Sequence, residues 1–269
     1  MRFGLSSHIY RYATRGLPGQ PGPLVRPVDL LGRAAALGLQ VAQFCENLSL
    51  AALTTVEWEE LLAASRRLGV AIEVGTRGLE PATLCASVDL AAQAGSRALR
   101  LVLDATDLAV ITEALRPVVR RCQQREVMLA IENHCDLRSE QLVELLHRLD
   151  SRWLAVCLDT ANTTGLLEHP RETVAALSRY SMQLHLKDYA VEKAAIGYRI
   201  TGRILGQGWL DVPAVLEALM GTGRDPDVLL EQWMEPEASL EATLVKEQAW
   251  VETSVQVALG HLARWARQP

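Results

Sequence analysis

The stretch WLAVCLDTAN, residues 153–162, is an almost wholly apolar run that ends in a carboxylate at Asp159. A run that is apolar at nearly every position is typical of a strand buried on both faces of a parallel sheet. Three further stretches repeat this pattern, each with a polar side chain where the run ends: VMLAIENH (127–134), MQLHLKDY (182–189) and DVLLEQW (227–233). The four stretches predict buried parallel strands with polar residues at their C-terminal ends.

Outward from these stretches, strand-like and helical segments alternate along the whole chain. The strand-like segments are Arg2–Ser6, Leu39–Phe44, Val70–Val74, Ala98–Leu103, Val127–Ile131, Leu154–Leu158, Met182–Leu186 and Val228–Leu230. The segments with apolar residues at helical spacing are Val28–Leu37, Thr55–Leu68, Leu79–Ala94, Asp107–Arg125, Ser139–Leu149 and Val212–Met220. Repeated βα units of this kind close a parallel sheet, so we predict an α/β fold, a (β/α)8 TIM barrel that forms a single domain over residues 1–269.

Two connections are longer than a simple link requires, and both follow predicted strand ends. They are residues 11–27, rich in proline, glycine and arginine, and residues 187–210. Long loops on a rigid scaffold usually carry function, so we predict that both are lids over the barrel mouth, the C-terminal ends of the barrel strands. The final stretch, from about Ser239 to Arg267, predicts one long helix that packs on the barrel exterior or against a second subunit. A homodimer or homotetramer through this helix is the expected assembly.

The last four predicted strands end in metal-competent side chains: Glu132, Asp159, His185 and Glu231. Strand ends of a barrel converge over one mouth, where three carboxylates would repel each other unless a cation neutralised them. Each residue alone is also consistent with a helix cap or an ion pair, but the fourfold recurrence favours one divalent metal ion. Oxygen-rich donor sets with one imidazole suit manganese, our first choice, or magnesium, cobalt or zinc.

Composition excludes several classes of function. The 269 residues carry a formal net charge of −5, which does not provide the basic surface that nucleic-acid-binding proteins use. The first residues lack the apolar core of a signal peptide, and no segment reaches the ~18 apolar residues of a membrane span. The five cysteines include no CxxC pair, which disfavours a zinc knuckle or a disulfide framework. We therefore expect a cytoplasmic protein without nucleic-acid or membrane partners.

The motifs IENH, CLDTAN, HLKDY, GQGWLDVPAVLEAL and LLEQW together resemble the xylose-isomerase-like barrels, the sugar phosphate isomerase and epimerase group. The resemblance covers essentially the whole chain. It implies a divalent metal held by the same four residues that the strand ends indicate. Ketose epimerases of the group carry a histidine three positions after the ligand aspartate, where this chain has Asn162, which weakens an epimerase assignment. The first residues of the chain, MRFGLSSHIY (1–10), and the EVGTRGL segment (73–79) resemble a subgroup that includes sugar-acid decarboxylases.

The resemblance implies chemistry through an enediolate of a small keto sugar or a related sugar derivative, which a metal ion stabilises. Glu132 and Glu231 are the candidates for moving the proton in an isomerase or epimerase, because related epimerases use that pair. Lys187 lies two residues past His185, so both side chains point into the barrel. It is a candidate to hold a substrate carboxylate, a phosphate or the developing oxyanion. Its alternative role is an ion pair with Asp188 or with a ligand glutamate.

Further residues at or near predicted strand ends are candidates for substrate contacts: His8, Gln43, Glu73, Arg100, His134, Asn162 and Trp233. Structural roles compete with several of these. His8 is equally explained as a surface or capping residue, and Glu73 and Arg100 as ion-pair partners inside the barrel. Trp209 and Trp233 are explained either as walls of a sugar site or as parts of the core.

The main alternative to an isomerase or epimerase is a metal-dependent decarboxylase of a 3-oxo sugar acid. That reaction would need a cationic clamp for the carboxylate, for which Lys187, Arg199 and Arg203 are the candidates. An apurinic-site endonuclease would need more histidines and a basic face, which this chain lacks. A non-catalytic sugar-binding barrel is disfavoured, since unused carboxylates at the mouth would only destabilise the domain.

Overall fold

The computed structural model of the protein describes residues 1–20 and 25–265, with side chains described up to residue 263. Its strands are β1 (Phe3–Ser6), β2 (Val41–Phe44), β3 (Ala71–Arg77), β4 (Ala98–Val102), β5 (Met128–Glu132), β6 (Leu154–Asp159), β7 (Ser181–Leu186), β8 (Asp188–Lys193), β9 (Tyr198–Arg203) and β10 (Asp227–Leu230). Its helices are α1 (Arg11–Arg15), α2 (Pro27–Ala36), α3 (Thr55–Leu68), α4 (Pro81–Ala94), α5 (Leu108–Arg125), α6 (Ser139–Leu149), α7 (Pro170–Leu177), α8 (Val212–Met220) and α9 (Leu240–Trp265).

Eight strands form a closed parallel barrel in the order β1, β10, β7, β6, β5, β4, β3, β2. Helices connect consecutive barrel strands, so the predicted single-domain (β/α)8 barrel with a long C-terminal helix is confirmed. Parts of two predictions, at residues 21–24 and 266–267, lie outside the described residues. Within the described chain, none of the helices combines the length and hydropathy that a bilayer span requires.

Side chains of the barrel strands alternate between two different environments. On β6, Val156 and Leu158 belong to the large apolar core that the strands share with the surrounding helices. Ala155 and Cys157 belong instead to a separate small cluster of buried residues. Asp159 continues the second series and is completely buried. Small residues in this series leave room inside the barrel, which allows longer polar side chains to occupy the layer near the mouth.

The segment 187–210, which was predicted as a long loop that covers the mouth, contains regular structure. Directly after β7, strands β8 and β9 form a two-stranded antiparallel hairpin. The Asp188 carboxylate then accepts hydrogen bonds from the backbone N–H groups of Gly206, Gly208 and Leu210, which closes the segment back on its own start. Backbone pairing within the hairpin satisfies polar groups that an irregular loop of this length would leave to water.

Two short helices were absent from the prediction. Helix α1 has five residues and lies within the segment 11–27, and α7 has eight residues between β6 and β7. Helices of one or two turns contain too few apolar residues to establish a helical period. The proline at the first position of α7, Pro170, follows His169, whose ring accepts a hydrogen bond from the backbone N–H of Arg171. These start signals were therefore present without a periodic run to support them.

Helix α9 packs on the barrel and holds the start of the N-terminal segment in place. The buried Glu247 carboxylate accepts hydrogen bonds from the backbone N–H groups of Tyr12, at 2.7 Å, and Ala13, at 3.0 Å. Gln232, just after β10, donates to the carbonyl oxygen of Ile9. The packing of α9 on the exterior agrees with one of the two predicted positions, while the predicted dimer or tetramer stays a prediction.

A close backbone approach between β1 and β2 leads to the first testable expectation. A Cβ atom at Gly4 would lie 2.1 Å from the carbonyl oxygen of Val41, so Gly4→Ala must displace one of the two strands. We expect a loss of about 1–3 kcal/mol in the free energy of unfolding, measured by denaturant titration. The control is Gly32→Ala in α2, where no atom lies within 4 Å and where helix propensity predicts a gain of ~0.5–1 kcal/mol. Equal stability of the two variants would contradict this account.

The buried Glu247 predicts a pH-dependent contribution to stability. Burial raises the pKa of Glu247 from 4.5 to about 7, although the backbone N–H groups of Tyr12 and Ala13 lower it. Between these two pH values the folded state binds more protons than the unfolded state, so stability falls as pH rises. Through this window the wild type should lose about 3 kcal/mol more stability than Glu247→Gln does. Denaturant titrations at pH 4.5 and pH 7.5 measure it, and parallel pH profiles for the two proteins would refute it.

Candidate active site

Four strand-end side chains meet inside the barrel mouth. The Nδ1 atom of His185 on β7 lies 3.1 Å from Oε1 of Glu231 and 3.3 Å from Oε2 of Glu132. Oδ2 of Asp159 lies 4.0 Å from the same nitrogen. The parallel strands bring these residues together because β7 lies between β6 and β10, and β5 is the next strand beyond β6. One ring nitrogen therefore faces three carboxylates, in a layer where all four side chains are buried.

The orientation of the His185 ring is set from below by Gln43. Oε1 of Gln43 lies 2.7 Å from Nε2 of His185, and an amide oxygen can only accept a hydrogen bond. Nε2 therefore donates to Gln43, and a neutral ring, as in a metal-bound histidine, presents the Nδ1 lone pair to the carboxylates. A metal-binding histidine is held in the same way, with its second ring nitrogen donating to a neighbouring oxygen.

The donor atoms fit a divalent cation. Nδ1 of His185 and Oε1 of Glu231 are buried without a hydrogen-bond partner among the described residues, although they lie 3.1 Å apart. A lone pair that faces a carboxylate oxygen at this distance is repelled by it. Ligand atoms of Asp159, His185 and Glu231 all lie within 4.8 Å of one another. A cation among these atoms would satisfy the unpartnered groups and remove the repulsion.

Lys187 supplies positive charge on one side of this cluster. Its Nζ atom lies 2.7 Å from Oδ2 of Asp159 and 2.8 Å from Oε2 of Glu231. Burial alone would lower the pKa of Lys187, but the two carboxylates raise it above its usual range, so the side chain is an ammonium ion. Of the two alternatives for this residue, the ion pair with a ligand glutamate is present, and the pair with Asp188 is not.

Arg100 and Asn162 hold the Glu132 carboxylate of this cluster. The buried Arg100 guanidinium donates from Nε to Oε2 of Glu132 and from Nη1 to Oε2 of Glu46. The Asn162 amide donates to Oε1 of Glu132 at 2.9 Å, so both oxygens of that carboxylate are engaged. Burial raises the pKa of Glu132, but the positive charges of Arg100 and Lys187 outweigh it and hold that pKa below its usual value.

His8 and Glu46 form a charged pair next to Arg100. Nε2 of His8 lies 3.3 Å from Oε1 of Glu46. Burial lowers the pKa of His8, but hydrogen bonds to Cys45 and Glu46 raise it to about 10. The imidazole is consequently a cation at neutral pH, and Glu46 is its counter-ion.

A cavity of about 340 Å³ opens above the buried cluster. Among the residues that the sequence indicated, those lining this cavity are His8, Arg100, Glu132, His134, Asn162, Lys187, Glu231 and Trp233. Trp233 also stacks near the Lys187 ammonium, which lies 5.0 Å from its ring centre. A volume of this size suits a small sugar, because ligand pockets begin at about 300 Å³.

Gln43 and Glu73 do not line this cavity, although both were predicted to contact substrate. Gln43 lies below His185 and holds its ring. Glu73 lies nearer the N-terminal ends of the strands, where it accepts from Gln183 and neighbours Asp227. Its burial and the Asp227 charge raise the pKa of Glu73 well above its usual value. Gln43 on β2 and Glu73 on β3 point into the barrel interior below the layer of the site. They therefore support the site and do not reach the cavity.

The predicted clamp residues Arg199 and Arg203 lie away from the cavity. Both are on the hairpin strand β9, where their guanidinium groups pair with Glu192 of β8. Trp209 is 65% exposed and lies against the outer surface near α8, so it is neither a wall of the site nor part of the core. Cross-strand charge pairing in the hairpin explains why these arginines do not reach the barrel.

Six cavity residues were missed by the sequence reasoning: Arg11, Arg15, Glu46, Arg77, Cys135 and Gln232. Arg11 and Arg15 are four residues apart, which places them on the same face of helix α1. That spacing was present in a segment already predicted to cover the mouth. Arg77 is the last residue of β3, which extends beyond the predicted end at Val74.

Comparison with known proteins agrees with this geometry. The family model described as xylose isomerase-like TIM barrel matches residues 29–254. The 3-oxo-isoapionate decarboxylase of Pectobacterium atrosepticum is 30% identical over 261 residues, which cover 95% of this chain and 94% of the other.

Two solved structures illustrate the shared fold. D-psicose 3-epimerase from Clostridium cellulolyticum H10, solved with D-tagatose, superposes with a TM-score of 0.73 at 14% identity, covering 98% of this chain and 99% of the other. A xylose isomerase-like TIM barrel protein from Mycobacterium smegmatis in complex with magnesium gives a TM-score of 0.64 at 15% identity, covering 85% and 88%. The family model and the nearly full-length decarboxylase relative reach the same conclusion as the barrel topology: this chain belongs to the xylose isomerase-like TIM barrel family.

Proposed function

We propose that this protein is a divalent-metal-dependent carboxy-lyase that releases CO2 from a 3-oxo sugar acid. The observation that carries the proposal is the pairing of the site carboxylates. Glu132 is held by Arg100 and Asn162, and Glu231 is held by Lys187. Isomerases and epimerases need a free base to remove a proton from carbon, whereas loss of CO2 from a 3-oxo acid requires no base.

The chemistry of a 3-oxo acid explains the need for positive charge. When the bond to the carboxyl carbon breaks, its electron pair moves toward the neighbouring ketone, and negative charge develops on the ketone oxygen. A divalent ion held by Glu132, Asp159, His185 and Glu231 would supply Lewis-acid stabilisation of this charge. The Lys187 ammonium lies at the edge of the same cluster and can donate a hydrogen bond to the developing enolate oxygen. The ketone then re-forms as the carbon takes a proton from solvent water, so that a hydrogen atom replaces the lost carboxylate.

Two comparisons support this proposal. The relative with 30% identity over nearly the full length is a 3-oxo-isoapionate decarboxylase. A structural neighbour with the same fold was solved with magnesium, which agrees with a divalent ion. The donor set of three carboxylates and one imidazole suits manganese or magnesium, and cobalt or zinc are alternatives.

A second candidate is an isomerase or epimerase of a small keto sugar. Glu132 and Glu231 both lie next to Nδ1 of His185, at 3.3 and 3.1 Å, and so could face a substrate from two sides. In that reaction the two glutamates would remove a proton from a substrate carbon and return it, and no CO2 would be lost. The amide of Asn162, where related epimerases carry a histidine, favours the first candidate, because it donates to Glu132 and weakens that carboxylate as a base.

Metal content tests the proposed ligands. Purified wild type should contain about one equivalent of a divalent ion after incubation with manganese and desalting, as measured by mass spectrometry. Glu231→Gln and Asp159→Asn keep the side-chain shapes but each removes a charged ligand, so manganese affinity should fall at least about tenfold. The control Glu172→Gln changes an exposed residue of α7 and should retain full metal content. Equal metal content in all four proteins would disprove the assignment.

Product analysis tests the reaction. The manganese-loaded enzyme should release one CO2 per molecule of a 3-oxo sugar acid, and Lys187→Met should lower kcat by about 100-fold while metal content is retained. Lys246→Met is the matched control, since Lys246 pairs with Glu237 outside the cavity.

The same assays decide between the two candidates. Incubation of keto sugars in D2O, followed by mass spectrometry, detects exchange of a carbon-bound proton. Interconversion of keto sugars with such exchange and without CO2 release would reject the decarboxylase in favour of the epimerase.

A further inference from the structure

Three arginines line the cavity without an acidic partner. Arg11 and Arg15 are on helix α1, and Arg77 is at the end of β3. Within residues 1–20 and 25–263, none of the three forms an ion pair with a carboxylate. All three are exposed, and they contribute to the lining of the same cavity as the buried cluster.

The carboxylates of the cavity are already neutralised by other cations. Glu46 pairs with His8 and Arg100, and Arg100 also engages Glu132. Glu231 pairs with Lys187. No cavity carboxylate among the described residues is therefore left for the three exposed guanidinium groups. Asp159 shares the Lys187 ammonium with Glu231, so a divalent ion in the cluster would balance the remaining negative charge and would still leave the three guanidinium groups without a partner.

Helix α1 is held firmly enough to fix the positions of two of these arginines. Glu247 accepts hydrogen bonds from the first turn of α1, as described above. Thr14 Oγ1 accepts a hydrogen bond of 2.9 Å from the Asn47 amide, and the Tyr12 hydroxyl donates to the carbonyl oxygen of Met234. The helix is thus tied to three other parts of the chain. Arg11 and Arg15 lie on one face of this fixed helix. A ligand that binds both therefore has to order less of the protein, which lowers the entropic cost of binding.

We propose that Arg11, Arg15 and Arg77 form an anion-recognition site at the cavity mouth, which selects acidic sugars over neutral ones. The planar guanidinium groups would bind the oxygens of a substrate carboxylate or phosphate, while the buried cluster faces the ketone and hydroxyl oxygens. This inference rests on the proposed function only in taking the substrate to be a sugar derivative. Because the three groups are exposed and hydrated, they contribute to capture of the anion more than to its conversion.

Binding measurements with unreactive probes test the site directly. The probes are D-gluconate, which carries a carboxylate, D-ribose 5-phosphate, which carries a phosphate, and neutral D-ribose. Isothermal titration of the manganese-loaded full chain at low ionic strength should show at least about tenfold tighter binding of one or both anions than of D-ribose. The tighter of the two anions identifies the recognised group.

Single substitutions connect that selectivity to the three arginines. Arg11→Gln, Arg15→Gln and Arg77→Gln should each weaken binding of the preferred anion by about tenfold, with no change for D-ribose. The matched control is Arg116→Gln on α5, which removes an exposed arginine paired with Glu113 away from the cavity. Its anion affinity should equal that of the wild type. Because the substituted arginines are exposed, we expect each variant to fold. Far-ultraviolet circular dichroism checks its secondary structure.

Several results would overturn the anion site. They are equal affinity for D-ribose and both anions, no binding of either anion, or unchanged anion affinity in the three variants. A general charge effect, and not a site, is indicated if Arg116→Gln weakens binding as much as the others. Loss of CO2 release or of metal binding in the preceding experiments, together with arginine-dependent anion binding here, would reject the proposed function and leave this site intact.

Discussion

Three buried carboxylates around one imidazole repel each other, and the arrangement of the other charged groups in the site follows from that repulsion. Glu132, Asp159 and Glu231 lie together around Nδ1 of His185 in a buried layer. Buried carboxylates this close are stable only where positive charge is near. Lys187, directly after β7, supplies part of that charge, and Arg100 on β4 supplies another part. Nδ1 of His185 and Oε1 of Glu231 remain without a hydrogen-bond partner among the described residues, and a divalent ion between them would complete the neutralisation.

The fold supports this layer from below and from the side. Outward-facing leucine, isoleucine and valine residues attach the strands to the helices, so the strand ends cannot separate without exposing the apolar core. Below the layer, Gln43 holds the ring of His185, and Glu73 lies in a deeper polar network with Gln183. At the side, the Glu247 carboxylate of α9 holds helix α1. Scaffold and site are therefore coupled through hydrogen bonds of buried polar groups, each of which would be unfavourable if left unpaired.

The same charge pairing connects the geometry to the proposed chemistry. A cluster whose carboxylates are occupied by cations is suited to stabilising negative charge that arises on a substrate oxygen, and poorly suited to removing a proton from carbon. The three exposed arginines add positive charge at the cavity mouth. An acidic sugar that approaches this mouth would be attracted to that local charge, although the net charge of the whole chain is −5.

The amino-acid pattern was enough to predict the barrel, the alternation of its elements and the four polar strand ends, because apolar runs and their terminal residues are local features of the chain. Which polar groups pair depends instead on the packed fold. Lys187 lies between Asp159 and Glu231, Arg199 faces Glu192 on the hairpin, and Gln43 lies below the cavity instead of lining it. The first and third of these outcomes join residues that are far apart in the chain, and the second depends on how the two hairpin strands pair. Strand pairing and helix packing set these distances, and a short stretch of sequence does not specify them.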